Sequence, residues 1–290
     1  MEMQSRQEVL EAVLQDGIML LHADDKFKLD REIVLEAVRS KGEALAYANE
    51  KFRSDREVVL EAVRSDGIAL QYADDKFKLD KEIVLEAIRE NPYSLKYAHA
   101  TLKSDREVVL EAVKEDGIRI EFADEMLKSD REVVLEAVRS RGYALKLVDE
   151  IFKSDREIVL AAVKGDGWAF EYVDEKFKAE REVVLEAVKI HGRALQYADY
   201  KFKLDREIVL TAVNSNGSAL RFADELLKLD REIVLAAVTS SGYALEGANE
   251  KFRSDREVVL AAAKSDPDAI MFATETLKEE LGKEGLFVEE

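Results

Sequence analysis

The chain contains no cysteine, two prolines, one tryptophan and three histidines among its 290 residues. Without cysteine it has no disulfide framework, no thiolate nucleophile and no thiolate metal ligand. That absence fits a reducing compartment, and a cytoplasmic location is expected. No apolar run approaches the ~18 residues that a membrane span requires. The opening MEMQSRQEVL lacks the basic and apolar regions of a secretion signal. Positive charge is also in deficit, since 44 Lys and Arg stand against 62 Asp and Glu, a formal charge of −18. Such a balance disfavours phosphate backbones and anionic bilayers, so neither nucleic acid nor a membrane is an expected partner. A basic protein or peptide fits the charge better.

What the sequence has in abundance is repetition. The stretch DREVVLEAVRSDGIALQYADDKFKL, from Asp55 to Leu79, recurs every 25 residues without insertion or deletion. Asp30, Asp80, Asp105, Asp130, Asp155, Glu180, Asp205, Asp230 and Asp255 begin the other copies, and a shortened first copy runs from about Ser5. A fixed period of this length is the signature of a solenoid. The expected architecture is therefore all-α: one solenoid over residues 1–290, of about eleven helical-hairpin repeats. Residues 1–29 form an altered capping repeat, in which Glu8 replaces the usual Ile or Val. Residues 279–290 form a degenerate tail, whose Leu286, Phe287 and Val288 either fold back over the last repeat or end it frayed.

Within a repeat, Val58, Val59, Leu60, Ala62 and Val63 cover one wide arc of a helix, with Glu57, Glu61 and Arg64 opposite. Asp55 is placed to cap this helix. A preceding Leu (Leu29, Leu79, Leu204, Leu229) is placed to staple onto its first turn, and a preceding Ser, as in Ser54-Asp55-Arg56-Glu57, has capping-box spacing. A second helix is expected from about Gly67 to Lys78, with Ala69, Leu70, Ala73 and Phe77 on its inner side. Pro92 and Pro267 replace the Gly at its start, so that position reads as the first helical residue rather than a left-handed cap. Lys41, Arg141 and His191 precede it without a capping side chain. One repeat alone buries too little apolar surface to offset its chain entropy, so stability belongs to the stack.

The run D-R-E-[IV]-V-L-x-A-V, followed by G-x-A-L-x-[YF]-A-[DN]-E-x-[FL]-K, resembles the repeat of domain-of-unknown-function family 4116 over nearly the whole chain. The resemblance implies an α-helical repeat and carries no activity with it. Uneven drift at Trp168, His191 and Gly247 reads as natural duplication; a consensus-like design is the alternative.

Candidate chemistry is sparse. His22, His99 and His191 sit at different repeat positions, three or four repeats apart, too far for a shared metal site when packed helices are ~8–10 Å apart. No phosphate loop, His-Glu-x-x-His, nucleophile elbow or EF-hand spacing occurs. The chain is expected to be no enzyme and to need no cofactor or metal. Asp24, Asp74, Asp124 and Asp174 stand four residues before a Lys, an expected ion-pair spacing. The series Arg31, Arg56, Arg106 and Arg131 is expected to pair with acidic neighbours of its own or the adjoining repeat.

What remains is the outward ridge of the second helix. Its first position is apolar or aromatic in five successive repeats: Ile68, Tyr93, Ile118, Tyr143 and Trp168. The expected function is a non-catalytic, monomeric protein- or peptide-binding scaffold with these five residues as its contact face. Two alternatives stand beside it. One is an acidic decoy for nucleic-acid-binding proteins; the other is an inert structural or designed spacer, in which the ridge is only packing between repeats.

Overall fold

The computed structural model describes residues 5–284, and the tail residues Leu286, Phe287 and Val288 lie outside them. Met1–Asp149 and Glu150–Glu290 form two compact units. Each is an all-α solenoid of the 25-residue repeat, with no strand among the described residues.

A complete repeat has three helical pieces rather than two. In the repeat that starts at Asp55 these are an α-helix, Arg56–Ser65, a 3-10 helix, Gly67–Tyr72, and a one-turn α-helix, Asp75–Lys78. The long helix begins where Asp55 accepts hydrogen bonds from the backbone N–H groups of Glu57 and Val58. It buries Val58, Val59, Ala62 and Val63 completely. The 3-10 helix starts the same way, with Asp66 accepting from the Ile68 N–H. Asn91 caps the Pro92 turn equivalently, with Pro92 at the first helical position as its fixed φ requires.

The continuous second helix expected over Gly67–Lys78 is interrupted at Ala73 and Asp74. Ala73 is extended, and Asp74 caps a new helix by accepting from the Lys76 N–H. This corrects two sequence readings. Asp74 does not pair with Lys78; the ion pair is Lys78–Asp75 at 2.9 Å, repeated as Lys28–Asp25 and Lys128–Glu125. The physical reason is local: a short carboxylate one residue before a helix reaches a free N–H more easily than a distant ammonium. Ser54 does not form a capping box either. It ends the short helix, and its hydroxyl donates to Asp74 of the next repeat at 2.9 Å. The expected Leu staple is loose, since Leu29, Leu79, Leu204 and Leu229 are 41–47% exposed.

Repeats join through three recurring contacts. In the first, the N–H of most short-helix caps donates to the last carbonyl of the preceding short segment, as Asp74 to Arg53 at 3.0 Å and Asp199 to Lys178 at 2.9 Å. The second uses the serine that ends a long helix, which accepts from the glycine N–H of the repeat before it. Ser65 takes the Gly42 N–H and Ser240 the Gly217 N–H, both at 3.1 Å. The same bond forms at Gly17 and Gly217, where Asp16 and Asn216 also cap the turn by accepting from Ile18 and Ser218, so it is an inter-repeat link in addition to the cap. The third is the glycine itself. A Cβ on Gly67 would lie 2.0 Å from the Ala87 carbonyl oxygen of the following repeat, so close approach, not a left-handed turn, selects glycine there.

Candidate functional site

Charge along the long-helix edge is consumed by the fold. Arg31 binds the Asp55 and Glu57 carboxylates of the following repeat, both at 2.5 Å. Lys81 binds Asp105 and Glu107 at 2.7 and 2.8 Å, and Arg231 binds Asp255 and Glu257 at 2.7 and 2.5 Å. Arg106 reaches Asp130 at 3.3 Å and also Glu132. Each cation bridges two carboxylates of the repeat that follows. The Asp is at once helix cap and ion partner, and the arginine hydrogen bond holds the Asp30 and Asp55 carboxyls below the usual range. A second ladder joins Arg39 to Glu61, Arg64 to Glu86 and Arg89 to Glu111, at 2.8–2.9 Å. Arginines engaged in this way are not open anion sites.

The three histidines are separate, as their repeat positions require. His22 ends a 3-10 helix. His99 caps the short helix Ala100–Lys103, its Nδ1 accepting from the Thr101 N–H at 3.2 Å. His191 lies against Trp168, with ring centroids 4.1 Å apart and planes 32° apart. Burial, with a smaller contribution from Arg193, pushes the His191 imidazole below its ordinary value. Among the described residues no group of three or more His, Asp or Glu is arranged to hold a metal.

The five ridge residues divide between the two units. Ile68, Tyr93, Ile118 and Tyr143 belong to the first and are half-buried; Trp168 belongs to the second and is 38% exposed. Neighbouring side chains explain the half-burial at Tyr93. Its ring meets Phe122 edge-on at 5.2 Å, and the Arg119 guanidinium and Lys96 ammonium lie 5.2 and 5.0 Å from its centroid. The Lys96 ammonium also reaches the Tyr93 hydroxyl at 2.7 Å, which raises the pKa of the lysine. The aromatic at this position therefore packs sideways onto the next repeat while keeping one edge in water. Trp168 does the same with His191. Sequence periodicity could not show this, because the contact is made across repeats.

Ten-residue long helices, six-residue 3-10 helices and inter-repeat ladders recur with the period of the sequence. The family described as "Domain of unknown function (DUF4116)" matches residues 5–53, 55–103, 80–128, 105–153, 130–178, 180–228 and 230–278. The chain belongs to this family. No curated protein and no solved structure matches it. DUF4116 matches beginning at 55, 80, 105 and 130 advance by one repeat while each spans nearly two, so neighbouring pairs are interchangeable as folds. Among these equivalent DUF4116 repeats the first ridge position changes from Ile68 to Glu43, Arg193 and Ser218.

Proposed function

We propose that the chain is a non-catalytic scaffold that binds a protein or peptide, with Trp168 as an anchor of its contact surface. The observation that carries this reading is the state of that side chain. Trp168 is the only tryptophan, it is 38% exposed, and the His191 ring holds it in place. A large aromatic already ordered before contact loses little side-chain freedom on binding, which is the profile of an interface hot spot. Ile68, Tyr93, Ile118 and Tyr143 supply a comparable, half-buried row within the first unit. The described residues contain no helix long and apolar enough to cross a membrane, so a membrane-spanning helix plays no part in this reading.

The formal charge of −18 favours the second reading, an acidic decoy that occupies basic nucleic-acid-binding proteins. Capture from the source cell at low and high salt, with the wild-type chain and Trp168→Ala, separates the two. A partner held at high salt and lost on Trp168→Ala supports the anchor. One held only at low salt, and indifferent to Trp168, supports the decoy. Absence of any partner supports an inert spacer.

A further inference from the structure

Tyr or Phe stands at one place near the end of most 3-10 helices: Tyr47, Tyr72, Tyr97, Phe122, Tyr172, Tyr197, Phe222 and Phe272. Leu147 and His22 fill it in two more repeats, and only Gly247 leaves it without a side chain. The result is a cavity of about 180 Å³, lined by Ser218, Arg221, Tyr243, Ala244, Glu246 and Gly247. A cavity of ~150 Å³ already admits benzene. The glycine is not demanded by the backbone. A Cβ there would sit 3.4 Å or more from its nearest neighbours, all atoms of Arg221, which is ordinary contact. The vacancy is thus a property of the side chain at 247 and not of the fold.

We propose that this cavity receives the side chain of a tyrosine from a partner protein segment. The hole is about the size of the ring that the other repeats supply themselves, and the Tyr243 ring forms part of its wall. Tyr243 packs edge-on against Phe272, with centroids 5.9 Å apart, and the Arg221 guanidinium lies 5.7 Å from the centre of the Phe222 ring. The rim is polar in a way that suits a phenol. Arg221 and Glu246 are exposed and make no hydrogen bond or ion pair among the described residues, in a chain whose arginines mostly bridge carboxylates. One offers donors and the other an acceptor, which together match a hydroxyl that both donates and accepts. The proposal rests on the scaffold reading above but uses a different surface, two or more repeats away from Trp168 in sequence.

The probe is p-cresol, the tyrosine side chain as a free molecule, titrated into the full chain by ligand-observed NMR. Saturable binding is expected with a Kd on the order of 1 mM, as suits a ligand of this size, and several-fold tighter than toluene. Gly247→Tyr and Gly247→Leu should each abolish it, and Gly247→Tyr should also raise the melting temperature. The leucine variant, which follows the precedent of Leu147, serves if the tyrosine variant does not fold. Arg221→Ala and Glu246→Ala should narrow the preference for p-cresol over toluene. No saturable binding to the wild type, unchanged binding to both Gly247 variants, or equal affinity for p-cresol and toluene would overturn the assignment. Trp168→Ala should leave p-cresol binding intact, so failure at this cavity and failure of the Trp168 surface are read separately.

Discussion

Single residues in this chain are judged by what the next repeat brings against them. Gly217 is a strict case: a Cβ there would lie 2.1 Å from the Ala237 carbonyl oxygen. Gly217→Ala should therefore push two repeats apart and cost about 1–3 kcal/mol by urea unfolding. Ser94 shows the opposite case. It is fully buried where most repeats carry Ala, and its hydroxyl has no hydrogen-bond partner. Ser94→Ala should raise stability by about 1 kcal/mol in the same assay, since an unsatisfied buried hydroxyl is removed without opening much space. Trp168 reports its own surroundings. Its emission should be quenched as His191 protonates, with a midpoint below the ordinary histidine value of about 6.5 because burial favours the neutral ring. A midpoint above that value would contradict the burial of the imidazole.

At the scale of the element, the long helices are alike except in how they begin. Asp55, Asp80 and Asp205 each accept two backbone N–H groups of the first turn. Glu180 makes no such cap: its longer side chain carries the carboxylate away from the first-turn N–H groups, and it keeps only the ion pair to Arg156, at 2.8 Å. Glu180→Asp should restore the cap while keeping the ion partner within the same edge, and should stabilise the chain by about 0.5–1 kcal/mol. Thermal unfolding of the single variant measures this; no change or a loss would mean that the Arg156 bridge outweighs the cap. The second helix is the element least like its sequence expectation. Its apolar positions suit one helix, yet Asp74 and its equivalents split it, because a carboxylate at that place can cap the turn that follows.

The whole molecule carries its carboxylates as structural groups, and this fixes its response to acid. The Asp30, Asp55 and Asp230 carboxyls are lowered first by hydrogen bonds from Arg6, Arg31 and Arg206, and further by the N–H groups they cap. A carboxyl with a depressed folded-state pKa stabilises fully above its unfolded value, about 3.9, and loses that contribution as pH falls through the folded value. The melting temperature should therefore be nearly flat above pH ~5 and fall steadily below pH ~4, with no matching change near pH 6.5 beyond that of His191. Since the ladders join neighbouring repeats within each unit, acid should also reduce the cooperativity of unfolding. A melting temperature insensitive to pH down to ~2.5 would show that the ladders contribute nothing.

The period, the Asp caps of the long helices, the buried Val, Ile and Ala positions and the identity of the repeat family were legible in the sequence, whereas the short-helix cap at Asp74 was not. They are local or strictly periodic, and burial follows the side chain's place in its own helix. The partners of Arg31 and Arg106 were legible only as a class, acidic neighbours. That each cation reaches forward to two carboxylates of one following repeat was decided by the packing distance between repeats. The same distance decided that Gly67 must be glycine, that Ser65 takes the Gly42 N–H, and that Tyr93 rests on Phe122. Gly247 was visible as a departure from the repeat, but one missing ring becomes a cavity only when neighbouring repeats stand rigidly around it. Sequence periodicity records what every repeat needs; tertiary structure decides what a single exception leaves open.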